Sequence, residues 1–154
     1  MGKVLVEIDI DISDAKKMLE KISKRSKDMR PVWKYAKREL EVAFSANFLS
    51  GGNLVPGGGW APLDPSYAAW KASRFPGAKK MFIDGSLFRS VADLSSSSIN
   101  KITPLSAEFG TDVEYAKFHQ YGTTKMPARK ILFEPKGFTH DLARKVKEHV
   151  LGDD

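Results

Sequence analysis

The chain has no cysteine among its 154 residues. That excludes disulfides and thiolate metal sites and suits a reducing compartment. No apolar run approaches the roughly 20 residues that span a bilayer. The opening residues, Met1-Gly-Lys-Val-Leu-Val-Glu, lack signal-peptide architecture because Glu7 and Asp9 interrupt the apolar segment, so a cytosolic product is expected. Histidines are few. His140 and His149 lie nine apart, too far to share adjacent turns as a helical zinc pair does, and His119, between Tyr115 and Tyr121, reads as a hydrogen-bonded packing residue. Gly57-Gly-Gly59 has no following Lys-Ser/Thr, so it is no phosphate loop, and no serine sits in a nucleophile elbow. Asp9, Asp11, Ser13 and Glu20 match part of a calcium loop, but Asp14 stands where that loop requires glycine, and a helical pattern begins inside it. The residues specify no enzyme, no metal and no cofactor.

What is present is a single-domain length with enough chain to bury about 70% of its unfolded surface. Net charge is +6. Between positions 21 and 38 stand eight cations, Lys21, Lys24, Arg25, Lys27, Arg30, Lys34, Lys37 and Arg38, against the single acid Asp28. Such a run is either a solvated helix face or an electrostatic face for phosphates or an acidic protein.

Periodicity gives the elements. Val4, Val6, Ile8 and Ile10 alternate with Glu7 and Asp9, the pattern of a half-buried strand. Ser13 or Asp14 is expected to cap a helix whose stripe is Ala15, Met18, Leu19, Ile22 and Met29. Pro31 should interrupt it, and Val32, Ala36, Leu40, Ala43, Phe44 and Phe48 resume the stripe until Ser50-Gly-Gly52. Residues 51–64, with five glycines and two prolines, read as a flexible loop that Trp60 pins to the body. Asp64-Pro65 reads as a cap and first-turn proline, followed by a short helix over 66–73. Leu87, Val91 and Leu94 suggest another short helix, 99–103 and 107–111 two strands joined around Pro104-Leu105, and 113–121 a helix stopped by Gly122. Phe138, Leu142, Val146 and Val150 recur every four residues in a C-terminal helix. The expected fold is α+β: one domain over 1–154, with a small, mostly antiparallel sheet packed against a long broken N-terminal helix and a C-terminal helix. The aromatics Trp60, Tyr67, Trp70, Phe75 and Phe82 gather in the middle third, either as core or as anchors for a protein partner.

The most specific stretch is Gly110-Thr-Asp-Val-Glu-Tyr-Ala-Lys-Phe-His-Gln-Tyr-Gly122 followed by Met126-Pro-Ala-Arg129. In order along the chain come Trp60, Pro62 and Leu63; Tyr67 and Lys71; Gly85, Leu87 and Ser90; Gly110, Tyr115 and Ala116; then His119, Gln120, Gly122, Pro127, Ala128 and Arg129. This order and spacing resembles the phage virion morphogenesis family of tail-completion proteins. Asp84 stands where that family usually has a hydroxyl residue, and Lys130 where proline is common. The resemblance implies a structural protein that completes or terminates the tail and prepares it for head–tail joining. It implies a homo-oligomeric ring, a hexamer, around the DNA channel, in the tail or neck of the virion and assembled in the host cytoplasm. Its partners would be itself, the tail tube and the head-side connector, with genomic DNA passing without sequence-specific contact and no membrane. Among the motif residues, Arg129 is the expected interface or loop anchor, because a guanidinium makes forked bonds. The other reading is a basic nucleic-acid-binding protein of a phage or mobile element that uses the Lys21–Arg38 face. A metal-dependent nuclease would need an acidic cluster that the sequence does not provide.

Overall fold

The computed structural model describes residue 9 and residues 11–152. The alternating residues Val4, Val6, Ile8 and Ile10 therefore lie outside the described part. Helix α1 runs Ser13–Ser26 and α2 runs Arg30–Leu49. The expected break is there, and Pro31 sits in the first turn of α2, where its missing N–H costs nothing. Neither Ser13 nor Asp14 caps α1, since both are already helical. The N-cap position is Ile12, which has no side-chain acceptor, and the Asp11 carboxylate just before it accepts the Ser13 N–H at 2.9 Å.

Helix α2 is the spine of the fold. It buries Val32, Ala36, Phe44, Asn47 and Phe48, whereas α1 buries none of its residues. The stripe read for α1 is real, but Met18 is 55% and Leu19 64% exposed. Its seam with the body is polar. The His149 Nε2–H donates to the carbonyls of Asp28 at 2.7 Å and Arg25 at 3.2 Å, which fixes the tautomer because a carbonyl can only accept. His149 belongs to α6 (Phe138–Leu151), which packs against both α1 and α2 through a stripe that stays half-buried.

Between these helices lie α3 (Pro65–Arg74), α4 (Ser86–Val91), strands β1 (Ser98–Ile102) and β2 (Ala107–Thr111), and α5 (Ala116–Tyr121). The strands form a two-stranded antiparallel sheet with Ser98 opposite Thr111 and Ile102 opposite Ala107. Leu94 lies past the end of α4 and is exposed rather than part of its stripe. α5 starts at Ala116, later than periodicity suggested. The Asp64 carboxylate caps α3, accepting from Ser66 N at 2.9 Å and Tyr67 N at 3.1 Å.

The core is aromatic. Phe48, fully buried, meets Trp60 edge-on at 5.1 Å and Phe82 and Phe88 at 5.7 Å. The loop over 51–64 is tied at two places. Asn47 Oδ1 accepts the Leu54 N–H at 3.1 Å, beside buried Val55, and Trp60 Nε1–H donates to the Lys130 carbonyl at 2.7 Å. Gly57, Gly58 and Gly59, between the ties, are exposed. The acceptor that holds Trp60 is the backbone carbonyl of Lys130, which any residue there would supply.

Candidate functional site

Arg129 is 4% exposed, and its guanidinium forks onto the loop that carries Trp60. Nε donates to the Ala61 carbonyl at 3.0 Å and Nη2 to the Pro62 carbonyl at 2.6 Å. Its own N–H donates to the His119 carbonyl at 2.6 Å. One residue therefore joins the Trp60 loop, α5 and the segment after Gly122. Burial, slightly countered by Tyr67, holds its pKa below the usual guanidinium value.

Lys71, on the inner face of α3, is also 4% exposed. Its ammonium donates to the Lys79 carbonyl, and burial lowers its pKa. Burying a long cation is costly unless an acceptor compensates it. Tyr67, one turn before Lys71, and Trp70 are both exposed and stack 5.5 Å apart, with Phe75 edge-on to Trp70 at 6.0 Å. The middle-third aromatics thus divide. Trp60 and Phe82 join the core around Phe48, while Tyr67 and Trp70 face out.

The polypeptide between α5 and α6 is held by side-chain amide chemistry. Gln120 Nε2–H donates to the Leu132 carbonyl at 2.8 Å, and its Oε1 accepts from Ile131 N at 2.9 Å and Leu132 N at 3.0 Å. That one amide satisfies three backbone groups of a segment with no strand neighbour. Gly122 has φ 75° and ψ 178°, a combination essentially confined to glycine. A Cβ there would lie 2.8 Å from Ala128 N and 3.0 Å from the Met126 carbonyl, so Pro127 and Ala128 pass against bare backbone. Gly85 begins α4 at φ 77°, also left-handed. Gly110 is different: a Cβ there meets Leu132 at an ordinary 3.7 Å, so nothing local demands glycine. Ser90, buried, bridges the Leu87 carbonyl at 2.8 Å and the Thr111 hydroxyl at 2.7 Å, and Ala116 is buried below α5.

These anchors surround one groove of about 860 Å³. Pro62, Leu63, Tyr67, Lys71, Leu87, Tyr115, His119, Pro127 and Arg129 all line it, although they span 68 positions of sequence from first to last (62 to 129, counting both ends). Trp60, Gly85, Ser90, Gly110, Ala116, Gln120, Gly122 and Ala128 do not line it. Tyr115 and His119 meet edge-on at 6.0 Å. The Nδ1 of His119 is buried without a hydrogen-bond partner, and burial, then the nearby Arg129 charge, pushes the imidazole pKa down.

Sequence reasoning missed Met81, Ile83 and Lys125, and it read Asp64 only as a cap, Asp84 only as a departure from the family pattern and Met126 only as the start of a motif; all six also line the groove. Met81 adopts φ 66°, rare for a side chain of its size. Asp84, one residue before the Gly85 N-cap of α4, accepts from Ser86 N at 2.9 Å and from its hydroxyl at 2.5 Å.

The Lys21–Arg38 stretch is less uniform than its composition suggests. Lys21, Lys24, Lys27, Lys34 and Arg38 are exposed, and Arg30 is ion-paired with Asp28 at 2.6 Å. The guanidinium of half-buried Arg25 lies against Gly152. Lys37 leaves the face altogether: its ammonium meets Asp93 at 2.6 Å and Glu41 at 3.0 Å, tying α2 to the turn after α4, because both carboxylates lie within its reach. Among the described residues no three acidic or histidine side chains converge on a metal-sized site.

A family model matches residues 10–152, nearly the whole chain. The chain belongs to the phage virion morphogenesis family. No curated protein and no solved structure matches it. Membership gives the protein a structural or morphogenetic role in a phage. No helix among the described residues is long and apolar enough to cross a membrane.

Proposed function

We propose that this protein completes or terminates the phage tail and prepares it for joining to the head, as a closed ring, a hexamer, around the DNA channel. The observation that carries the reading is that nine of the seventeen motif residues, from Pro62 to Arg129, line one groove, in a chain whose family is that of phage virion morphogenesis. A ring subunit needs two different complementary surfaces, so that each copy contacts the next head to tail and the rotation closes. Unpartnered apolar surface supports this. It lies on several elements: Met18 and Leu19 on α1, Tyr67 and Trp70 on α3, Phe118 and Tyr121 on α5. The tail tube below and the connector above would account for surfaces that the ring leaves open.

Light scattering with negative-stain imaging over a wide concentration range tests the ring. A closed oligomer is the expected result; a strict monomer, alone and with tail tubes, would refute it. The nucleic-acid reading rests on the exposed cations Lys21, Lys24, Lys27, Lys34 and Arg38. Duplex binding that falls steeply between low and moderate salt, without any oligomer, would favour it instead.

A further inference from the structure

The groove holds cations that its own acids do not neutralise. Asp64 and Asp84 line it, but the carboxylate of each is engaged at a helix start, by Ser66 and Tyr67 N–H and by Ser86. Lys71 and Arg129 are each 4% exposed and make no ion pair among the described residues. Lys71 has one acceptor, the Lys79 carbonyl, for its three N–H groups. Arg129 gives Nε and Nη2 to carbonyls, and Nη1 has no acceptor among the described residues. The buried His119 Nδ1 is also unpartnered. Around these polar groups the walls are apolar, formed by Met81, Ile83, Leu87 and Met126. Chemically the groove fits an apolar segment bearing carboxylates, because a buried cation is tolerated only when paired.

This basic chain contains one stretch of that kind. Val4-Leu-Val-Glu-Ile-Asp-Ile-Asp11 has three acids, no base and five aliphatic residues in eight positions. Asp11 is already bonded to Ser13 N–H, and Asp9 is exposed. We propose that the groove seats residues 4–10 of a second copy of this chain, with Glu7 and Asp9 as partners for Lys71 and Arg129. Groove and segment are different surfaces, so the contact is head to tail by construction and propagates until a ring closes. The inference rests on the ring reading and says what joins its subunits.

The absence of native cysteine makes the test direct. One preparation carries Val6→Cys, another Ile83→Cys at the exposed groove rim, and the two are mixed and oxidised with copper phenanthroline. A disulfide-linked band at twice the chain mass is expected from the mixture. Adding Glu7→Lys and Asp9→Lys to the first chain should lower its yield at least tenfold. Lys71→Glu in the second should restore part of it. Lys71→Met, with its fold checked by circular dichroism, should abolish the cross-link, which a purely structural lysine would not. A ring by light scattering with no such band overturns the inference and leaves the ring reading standing; a strict monomer overturns both. Linking within one chain, in a Val6→Cys/Ile83→Cys double variant at single mass, also overturns it. So does preferential linking to Glu108→Cys on the hairpin.

Discussion

Arg129 illustrates how one side chain can hold three parts of a fold together. Its fork satisfies the carbonyls of Ala61 and Pro62, and its N–H satisfies that of His119. A lysine presents a single point of donation and cannot span both carbonyls. Arg129→Lys should therefore cost about 1–3 kcal/mol from an unmet buried acceptor, and Arg129→Ala more, with two unmet and a void added. Denaturant titration reads this, and equal stability for the three proteins would contradict it. His119 sets a pH dependence. Its folded pKa lies below the ordinary value near 6.5, because burial and Arg129 oppose the imidazolium. The unfolded chain therefore takes up the proton first. Stability from this group is complete above about pH 6.5 and is lost as the pH falls toward the lowered value. His119→Gln should flatten the melting curve's pH dependence in that window. Asp28 acts lower: its hydrogen bonds from Arg30 hold its pKa at about 2, so its contribution persists above the usual carboxylate range and disappears as the pH falls toward about 2.

At the scale of elements, the Trp60 loop and the α5–α6 connection stand or fall together, because each ends on the other. Trp60→Phe keeps the ring contact with Phe48 but leaves the Lys130 carbonyl unmet, at an expected cost of about 1–3 kcal/mol. Gly122→Ala is expected to cost more than about 2 kcal/mol, since strain at its dihedrals adds to a contact with backbone that cannot swing away. A Gly110→Ala control should be nearly neutral, and a similar loss at both positions would show that the two glycines do not differ as argued. The two halves of the broken helix also differ. α2 buries five residues and α1 none, so amides of α1 should exchange with solvent far faster than those of α2. Assembly that covers Met18 and Leu19 would slow α1 selectively, and hydrogen exchange on free and assembled protein measures both.

For the whole molecule, the fold is an aromatic core around Phe48 with exposed basic and apolar surfaces around it. Exposed charge contributes little to the stability of such a body. Neutralising Lys21, Lys24, Lys34 and Arg38 together should leave the melting temperature within a few degrees of the parent, about the shift that exposed sites produce. Loss of particle assembly by that variant in a complementation assay would show that the face serves a partner. A large fall in melting temperature would show instead that these side chains are packed. Lys37 is excluded from the set because its pair with Asp93 ties α2 to the turn after α4, and its pKa is raised mainly by Asp93.

Periodicity in the sequence was enough to place α2, α3, α6 and the hairpin, and to put the helix break near Pro31, because each is fixed by local chemistry: a stripe of one period, a cap, a proline. The motif residues were legible too, as an ordered set running from Trp60 to Arg129. Their division of labour was not. Nothing local says that Arg129 and Lys71 are buried while Tyr67 and Trp70 face out, since burial depends on what arrives from positions far along the chain. The apolar stripe of α1 is periodic like that of a core helix, yet among the described residues no element covers Met18 and Leu19. Equally, Lys37 reads like its basic neighbours until Asp93 is brought to within 2.6 Å. Local spacing determined which elements form and in what order. Only tertiary contact decided which cations were buried together in one groove, because desolvation and charge pairing act through space and leave no period in the sequence.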